Sequence, residues 1–366
     1  MSSVSATTTA GRIQGRRSRR WRPDVTRIVH SLEKLGLGFF VPYARLVAGD
    51  DPVRQLRRIA LDVLLPGAAL GVFLLFWTVC ASQVRTDSVK IPSPAETWSA
   101  WKGMQAFAAS EAAKEQAFLE RMEALAVQWE TQGDLQKAAE YRSKPYAGAL
   151  TFTQQIHVSL ATVGLGFLAA TMIAIPIGIF CGLSRNFQTA MNPLIQIFKP
   201  VSPLAWLPIV FVFVTALYEP AADARLFGRA LFISAGTVTL CSLWPTLINT
   251  AVGVAGIDRD HLNVAKALKL SWLQRLIKIV LPSALPLMFT GMRLSLGVGW
   301  MVLIAADMLA QNPGLGKFVW DTFQNGSTES MAQIVVAILA IGFIGFVLDR
   351  IMLVLQKLVT FEERAV

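Results

Sequence analysis

Six apolar blocks, each about 20 residues long, constrain this chain more than any other feature: roughly 60–81, 160–182, 194–217, 229–250, 283–306 and 333–356. The hydrocarbon layer of a bilayer is about 30 Å thick, and about 20 helical residues cross it. An unpaired backbone N–H or C=O inside that layer costs several kcal/mol, so a crossing segment must satisfy its own backbone, which a helix does. Composition agrees: 54% of the 366 residues are hydrophobic and 16% charged, too apolar for an ordinary soluble domain. The expectation is an all-α integral membrane protein with six spans.

Charge orients it. The net charge of +10 would suit a nucleic acid if it were spread over a reading surface, but twelve Lys and Arg lie in residues 1–58, ahead of the first block. That bias fits a cytosolic N-terminus facing anionic lipid, and no nucleic-acid partner is expected. Counting spans from there puts segment 83–159 outside, and the loops 183–193 and 251–282 and the tail 359–366 inside. The second loop carries Arg259, Lys266, Lys269, Arg275 and Lys278 against Asp258 and Asp260, as the positive-inside rule requires. Residues 1–23, rich in Ser, Thr and Arg, have the composition of a disordered tail, and 25–47 reads as an interfacial helix. The arginine pairs at 16–17 and 19–20 precede no apolar stretch before about residue 60, so they are not a leader.

The external insert 83–159 reads as helical. Ser93-Pro94-Ala95-Glu96 combines an N-cap, a proline at the first helical position and a glutamate at the third. The pattern predicts a helix to about Thr131, a stop at Gly133, and a second helix from Asp134 to about Ser143. Its aromatic residues, Trp98, Trp101, Phe107, Phe118 and Trp129, need a surface, either a periplasmic partner or the protein itself.

Several chemistries are excluded. Cys80, Cys181 and Cys241 lie in or at the ends of apolar blocks, and His30, His157 and His261 are scattered, so no metal site is expected. Gly164-Leu-Gly166-Phe-Leu-Ala169 sits inside a span with no strand before it, where small residues serve close helix packing. Gly314-Leu-Gly316-Lys317 lacks both the first glycine and the Ser/Thr of a phosphate loop. No nucleotide site and no cofactor are expected, and the insert holds no catalytic constellation.

Inside the spans, polar residues and prolines are the informative ones. Pro200, Pro203 and Pro208 interrupt the third block, each straining a helix by roughly 3 kcal/mol. Broken helices border many transport routes, which makes Pro203 a candidate pathway residue. Arg293 falls near the middle of the fifth block, where an unpaired guanidinium costs at least about 2.5 kcal/mol. It is a candidate either for the substrate route or for holding helix carbonyls. Thr237, Ser242, Thr246 and Asn249 give the fourth block a polar side that would line a path or bond across helices. Lys199 and Asp307 lie nearer span ends, where snorkelling relieves the cost of charge.

The loop between the fourth and fifth blocks carries structure of its own. Leu262, Ala265, Leu268, Trp272 and Leu276 share one helical face. Asp260 is placed to cap a first helix, Ser271 with Gln274 forms a capping box for a second, and Pro282 stands where the membrane helix would begin. Segment 258–293 resembles the "EAA" coupling loop of permease subunits in binding-protein-dependent ABC importers. Val264, Ala265, Leu268, Ser271, Leu281, Pro282, Pro286 and Gly291 fit that pattern, while Asn263 replaces its Glu and Lys269 its Gly. The run from Asn263 to Ser271 resembles the variant of nitrate, cyanate and bicarbonate permeases. Further likeness comes from Ile91-Pro92-Ser93-Pro94, from His157-Val-Ser159-Leu160 with Gly164, from Asp307-Met308-Leu309 with Gly314-Leu315-Gly316, and from Gly345 with Asp349.

The resemblance implies a type I ABC importer permease in a bacterial inner membrane, with both termini cytosolic. Its partners would be a second permease copy, cytosolic ATPase subunits that hydrolyse the ATP, and a periplasmic substrate-binding protein. Leu262, Asn263, Ala265, Leu268, Lys269, Ser271 and Trp272 would contact the ATPase. The expected organisation is a basic segment 1–58, a first span 59–82, the insert 83–159, a five-helix core 160–358 containing coupling loop 258–279, and the tail. Nitrate or nitrite is the first substrate expectation, then cyanate or bicarbonate, with a sulfonate or taurine permease as the alternative. A secondary transporter would show more acidic residues inside its spans than this chain does.

Overall fold

A computed structural model describes residues 29, 41–47, 52–83, 90–217, 228–258, 260, 263 and 267–359, and all structural statements concern these. The chain divides into two compact units, Met1–Ala69 and Leu70–Val366. In the first lie a short helix, α1 (Val41–Val47), and the opening half of α2 (Pro52–Gln83), which runs on unbroken into the second. The interfacial-helix expectation for 25–47 otherwise falls outside the described residues, as does the disordered tail 1–23. Beyond Asp62, helix α2 is apolar on all sides as far as Trp77, which suits a span in lipid.

The second unit is entirely helical among the described residues, apart from turns and a single bridge residue, Lys90. Helix α3 (Pro94–Thr131) starts on the expected capping box: Ser93 Oγ accepts from Glu96 N, and Glu96 accepts from Ser93 N at 2.7 Å. It ends before Gly133, whose φ of +83° is a left-handed turn that glycine adopts without strain. Asp134 caps α4 (Leu135–Ser143), accepting from Lys137 N at 3.1 Å. Arg142 on α4 reaches back to Glu123 and Glu130 on α3, so the two helices form a hairpin tied by its own charges. At its other end α3 lies against the bundle, where Ala100, Trp101 and Met104 join the largest core cluster. The insert thus packs on itself and on the rim of the span bundle.

Helix α5 (Phe152–Leu183) is capped by Thr151 and begins eight residues before the predicted block. The next stretch corrects the sequence reading. Residues 183–193 are not a loop: α6 (Arg185–Phe198) runs through them, and α7 (Pro203–Leu217) follows at an angle of 104°. The third span is therefore a bent pair. Pro200 and Pro203 flank the break, since neither can donate to a continuing helix, whereas Pro208 is absorbed inside α7.

Helix α8 (Arg229–Ala255) is the most enclosed span. Helix α9 (Trp272–Ala310) is one apolar-to-amphipathic rod of 39 residues, containing a π-turn at Leu276–Val280. It does not begin at Pro282; the wider π-turn precedes that proline, where a regular turn would meet its ring. The connection after α9 holds α10 (Leu315–Gln324), and α11 (Thr328–Val359) completes the fold. Five helices are long and apolar enough to cross a membrane, or six if α6 and α7 count as one.

Helices α5 and α8 run parallel and nearly touch. Cβ atoms added at Gly166, Gly178 and Gly182 would lie 2.5 to 2.8 Å from atoms of Val238, Thr250 and Val254 respectively. With Ala170 and Ala174, both fully buried, these glycines form a ridge of small residues spaced by four. Gly166 thus serves the close packing that its motif suggested, while Gly164 faces open space.

Candidate functional site

Two regions bear on function: the segment joining α8 to α9, and the polar groups held within the span bundle. The joining segment starts at Asp258, not Asp260, as its cap. Asp258 Oδ1 accepts from Asp260 N at 3.0 Å, and Asp260 and Asn263 are already helical. Leu262, Val264, Ala265 and Lys266 lie outside the described residues. Asn263 and Ala267 are exposed. The first helix stops at Lys269, whose φ of +49° is left-handed. This is the position where the resembled pattern has glycine, and the reason is now visible: the chain must reverse there, and only glycine does so without strain. The lysine here bears roughly 1–2 kcal/mol of that strain.

Ser271 then restarts the helix with the predicted capping box, both of its bonds present. Leu268, Trp272, Leu273 and Ile277 are all exposed, each by more than half of its surface. Leu276, expected on the same face, instead packs into a core cluster with Ile179, Val254, Val280, Ala284 and Met288. A row of large apolar side chains thus stands uncovered at the end of the bundle, anchored by a residue that is not.

Within the bundle, Thr237 and Thr246 are fully buried. Thr237 bonds back to Ile233 O, while Thr246 joins α8 to α9. Its N–H and hydroxyl both reach Ser295 Oγ, at 3.0 and 2.7 Å. Pro245, one residue earlier, perturbs the helix ladder here, and the serine of the neighbouring helix supplies the acceptor. Pro203 stands half-buried at the start of α7.

Arg293 is not unpaired. Its Nε and Nη2 grip both carboxylate oxygens of Asp349 on α11, the second contact at 2.9 Å. The structural role was expected to involve helix carbonyls; the partner found is a carboxylate. The signal was available, because Asp62 and Asp349 are the acidic residues inside the six apolar blocks. Two more bonds stitch the same antiparallel pair, Trp300 Nε1 to Ile341 O at 3.0 Å and Gln356 Nε2 to Pro286 O at 3.3 Å.

Asp307 corrects a second expectation. It does not snorkel; it is fully buried. Ser159 Oγ donates to it at 2.9 Å and Asn312 Nδ2 at 2.7 Å, and Asn312 also reaches Thr162 Oγ1. Ser159 Oγ in turn accepts from Leu315 N at 2.8 Å. The glycines of Gly314-Leu-Gly316 are explained by this network: an added Cβ would come within 2.2 Å of Asp307 Oδ2 at the first, and within 2.0 Å of Ile304 O at the second. Sequence reading missed the network because its members lie about 150 positions apart.

Lys199 caps α6 at the break, exposed, with no carboxylate partner among the described residues.

Comparison with known proteins agrees with these features. Residues 174–360 match the family described as binding-protein-dependent transport system inner membrane component. A nitrate import permease protein of Synechocystis sp. is 36% identical over 210 residues, 57% of this chain and 70% of that protein. A bicarbonate transport system permease protein of Synechocystis sp. is 31% identical over 314 residues, 85% of this chain and 94% of that one. The taurine transport system permease protein of Escherichia coli is 30% identical over 210 residues, 57% of this chain and 70% of its own length. The matched region takes in α6 to α11, the bent pair and the exposed segment before α9. The chain belongs to the family of inner-membrane permease components of binding-protein-dependent transport systems.

Proposed function

We propose that this protein is the membrane-spanning subunit of an ATP-driven importer for a small inorganic anion, with nitrate or nitrite as the first substrate. The observation that carries the coupling role is the row of exposed apolar side chains from Leu268 to Ile277. A membrane protein that holds such a row on a capped helix beyond its spans has a use for it, and a groove on a soluble ATPase is what the family architecture implies. On this reading two copies form the pore, two ATPase subunits dock at segment 258–279, and a periplasmic binding protein delivers the anion. The protein would lie in the bacterial inner membrane with both termini cytosolic and the α3–α4 hairpin outside.

Mechanically, the second half of the coupling segment, from Trp272 through the π-turn, is the start of α9 itself, and α9 is bonded to α11 at three levels. Displacement of the segment by closing ATPases is thereby carried into two spans together. To invert a 1:99 ratio of inward to outward states, ATP and loaded binding protein must supply about 5.5 kcal/mol of differential binding.

For the substrate, support comes from relatives named for nitrate and bicarbonate at 31–38% identity, with the taurine relative at 30%. Bicarbonate is the second reading, favoured by the match that extends over 94% of that relative.

Trp272→Asp and Leu268→Asp test the coupling role, since both side chains are exposed and the fold does not need them. The expected result is a membrane-inserted protein from which the ATPase no longer co-purifies. Normal co-purification in both variants would sink the coupling assignment. Uptake of labelled nitrate, bicarbonate and taurine by the reconstituted complex ranks the substrates.

A further inference from the structure

The bend between α6 and α7 holds an unexplained set of donors. Phe198, the last residue of α6, lies between two indoles: Trp206 on α7, with ring centroids 5.6 Å apart, and Trp244 on α8, stacked at 6.5 Å. Both indole nitrogens are shut off from solvent and neither has a hydrogen-bond partner. Trp244 is 9% exposed. A third orphan, Thr171 Oγ1, belongs to the same layer, because the parallel register of α5 and α8 sets Thr171 level with Leu243. Ser234 and Thr250 on α8 leave their hydroxyls unpaired as well, whereas Thr162, Thr237, Thr239, Ser242 and Thr290 return theirs to a carbonyl one turn back.

The layer lies at mid-depth. Trp244 is fifteen residues into α8, roughly 22 Å from one end and 16 Å from the other at 1.5 Å per residue. At this depth the chain also leaves a helix start, the first turn of α7, with its positive dipole end. Beside it stands Lys199, exposed and without a carboxylate partner among the described residues. Buried donors without acceptors are uncommon in native proteins, and three in one layer call for an explanation. Indole N–H and ammonium groups donate and cannot accept, so whatever completes them is rich in lone pairs and negatively charged.

The geometry points to this bend as an anion-binding station of the transport route, with Trp206, Trp244 and Thr171 as donors and Lys199 as counter-charge. It would take a small planar oxyanion whose three oxygens match several separate donors. The site rests on the anion-importer reading above and adds the residues that recognise the anion within the membrane. The face bearing Lys199 and Ser202 is exposed in the protomer, which allows entry.

The test uses the whole complex of permease, ATPase and binding protein in proteoliposomes, with nitrate and bicarbonate as probes. Anion uptake and ATP hydrolysis are measured together. Trp206→Phe and Trp244→Phe keep the ring stacking and remove only the N–H; Lys199→Gln removes the charge from an exposed position. Each is expected to lower anions moved per ATP at least about fivefold, whereas Trp98→Phe, on the exposed face of α3, is expected to leave the ratio unaltered. An unchanged ratio in Trp244→Phe overturns the station. Should that variant fail to assemble, an unchanged ratio in Lys199→Gln overturns it equally. A wild-type complex that moves neither anion overturns the parent reading and the station with it.

Discussion

Arg293 on α9 and Asp349 on α11 form a two-pronged ion pair across 56 positions of sequence, with both side chains about one-third exposed (36% and 34%). A charge in the span region is tolerated because its partner is present in the same fold. Removing either partner strands the other. Arg293→Ala and Asp349→Asn are each expected to destabilise the detergent-solubilised protein by about 2 kcal/mol, less than a fully buried pair because both groups retain solvent. The pair replaced by Met and Leu should recover most of that loss. Thermal melts of the three variants decide it; an Asp349→Asn variant of unchanged stability would return Arg293 to a role in the anion path alone.

Lys269 offers a stabilising substitution. Its φ of +49° disfavours any side chain with a Cβ. Lys269→Gly should raise stability by about 1 kcal/mol, and Lys269→Val should lower it. The melting temperature is the readout, and a drop for the glycine variant would contradict the strain argument.

Two glycines of α5 should respond in opposite ways. At Gly178 a Cβ would meet Thr250 Cβ at 2.7 Å and Leu247 O at 2.8 Å, and Gly178→Ala is expected to cost about 2 kcal/mol by forcing α5 from α8. At Gly164 nothing lies within 4 Å, so alanine there gains up to about 1 kcal/mol of helix propensity. Denaturation of both variants under one condition compares them directly.

The α3 cap carries a pH dependence. Hydrogen bonding from Lys90, then the backbone N–H of Ser93, holds the Glu96 carboxyl down at about 2, from an ordinary 4.5. A carboxyl depressed in the folded state stabilises it above its unfolded value, and that contribution fades as pH falls from about 4.5 through about 2. Glu96→Gln should therefore melt below the wild type at pH 7, with the gap narrowing at pH 3 and nearly closed at pH 2. A gap independent of pH would show that the charge plays no part. Ser93→Ala, which removes the other half of the box, should cost about 1 kcal/mol.

Local signals carried much of the architecture. The capping boxes at Ser93 and Ser271, the cap at Asp134 and the stop at Gly133 are found where the sequence reading put them, because capping is a contact among residues three apart. The spans were legible from length and hydropathy, for the physical reason that lipid leaves no other solution. The third was misread in shape: prolines announce a break, but the 104° angle depends on what α6 finds to pack against, namely Met191 and Ile195 on the cluster around Leu243 and Trp244.

Of the candidate site, the segment joining α8 to α9 was visible in sequence because it is contiguous, down to the position where lysine stands for glycine. What surrounds the polar residues in the spans was not. Arg293 finding Asp349, Thr246 finding Ser295, and Asp307 closing over Ser159 and Asn312 each join separate helices. Hydropathy determines that such groups must be paired, since hydrocarbon offers them no partner. Only the packing of helices, governed by small residues such as Gly166, Gly178 and Gly182 that let backbones approach, decides which partner each one meets.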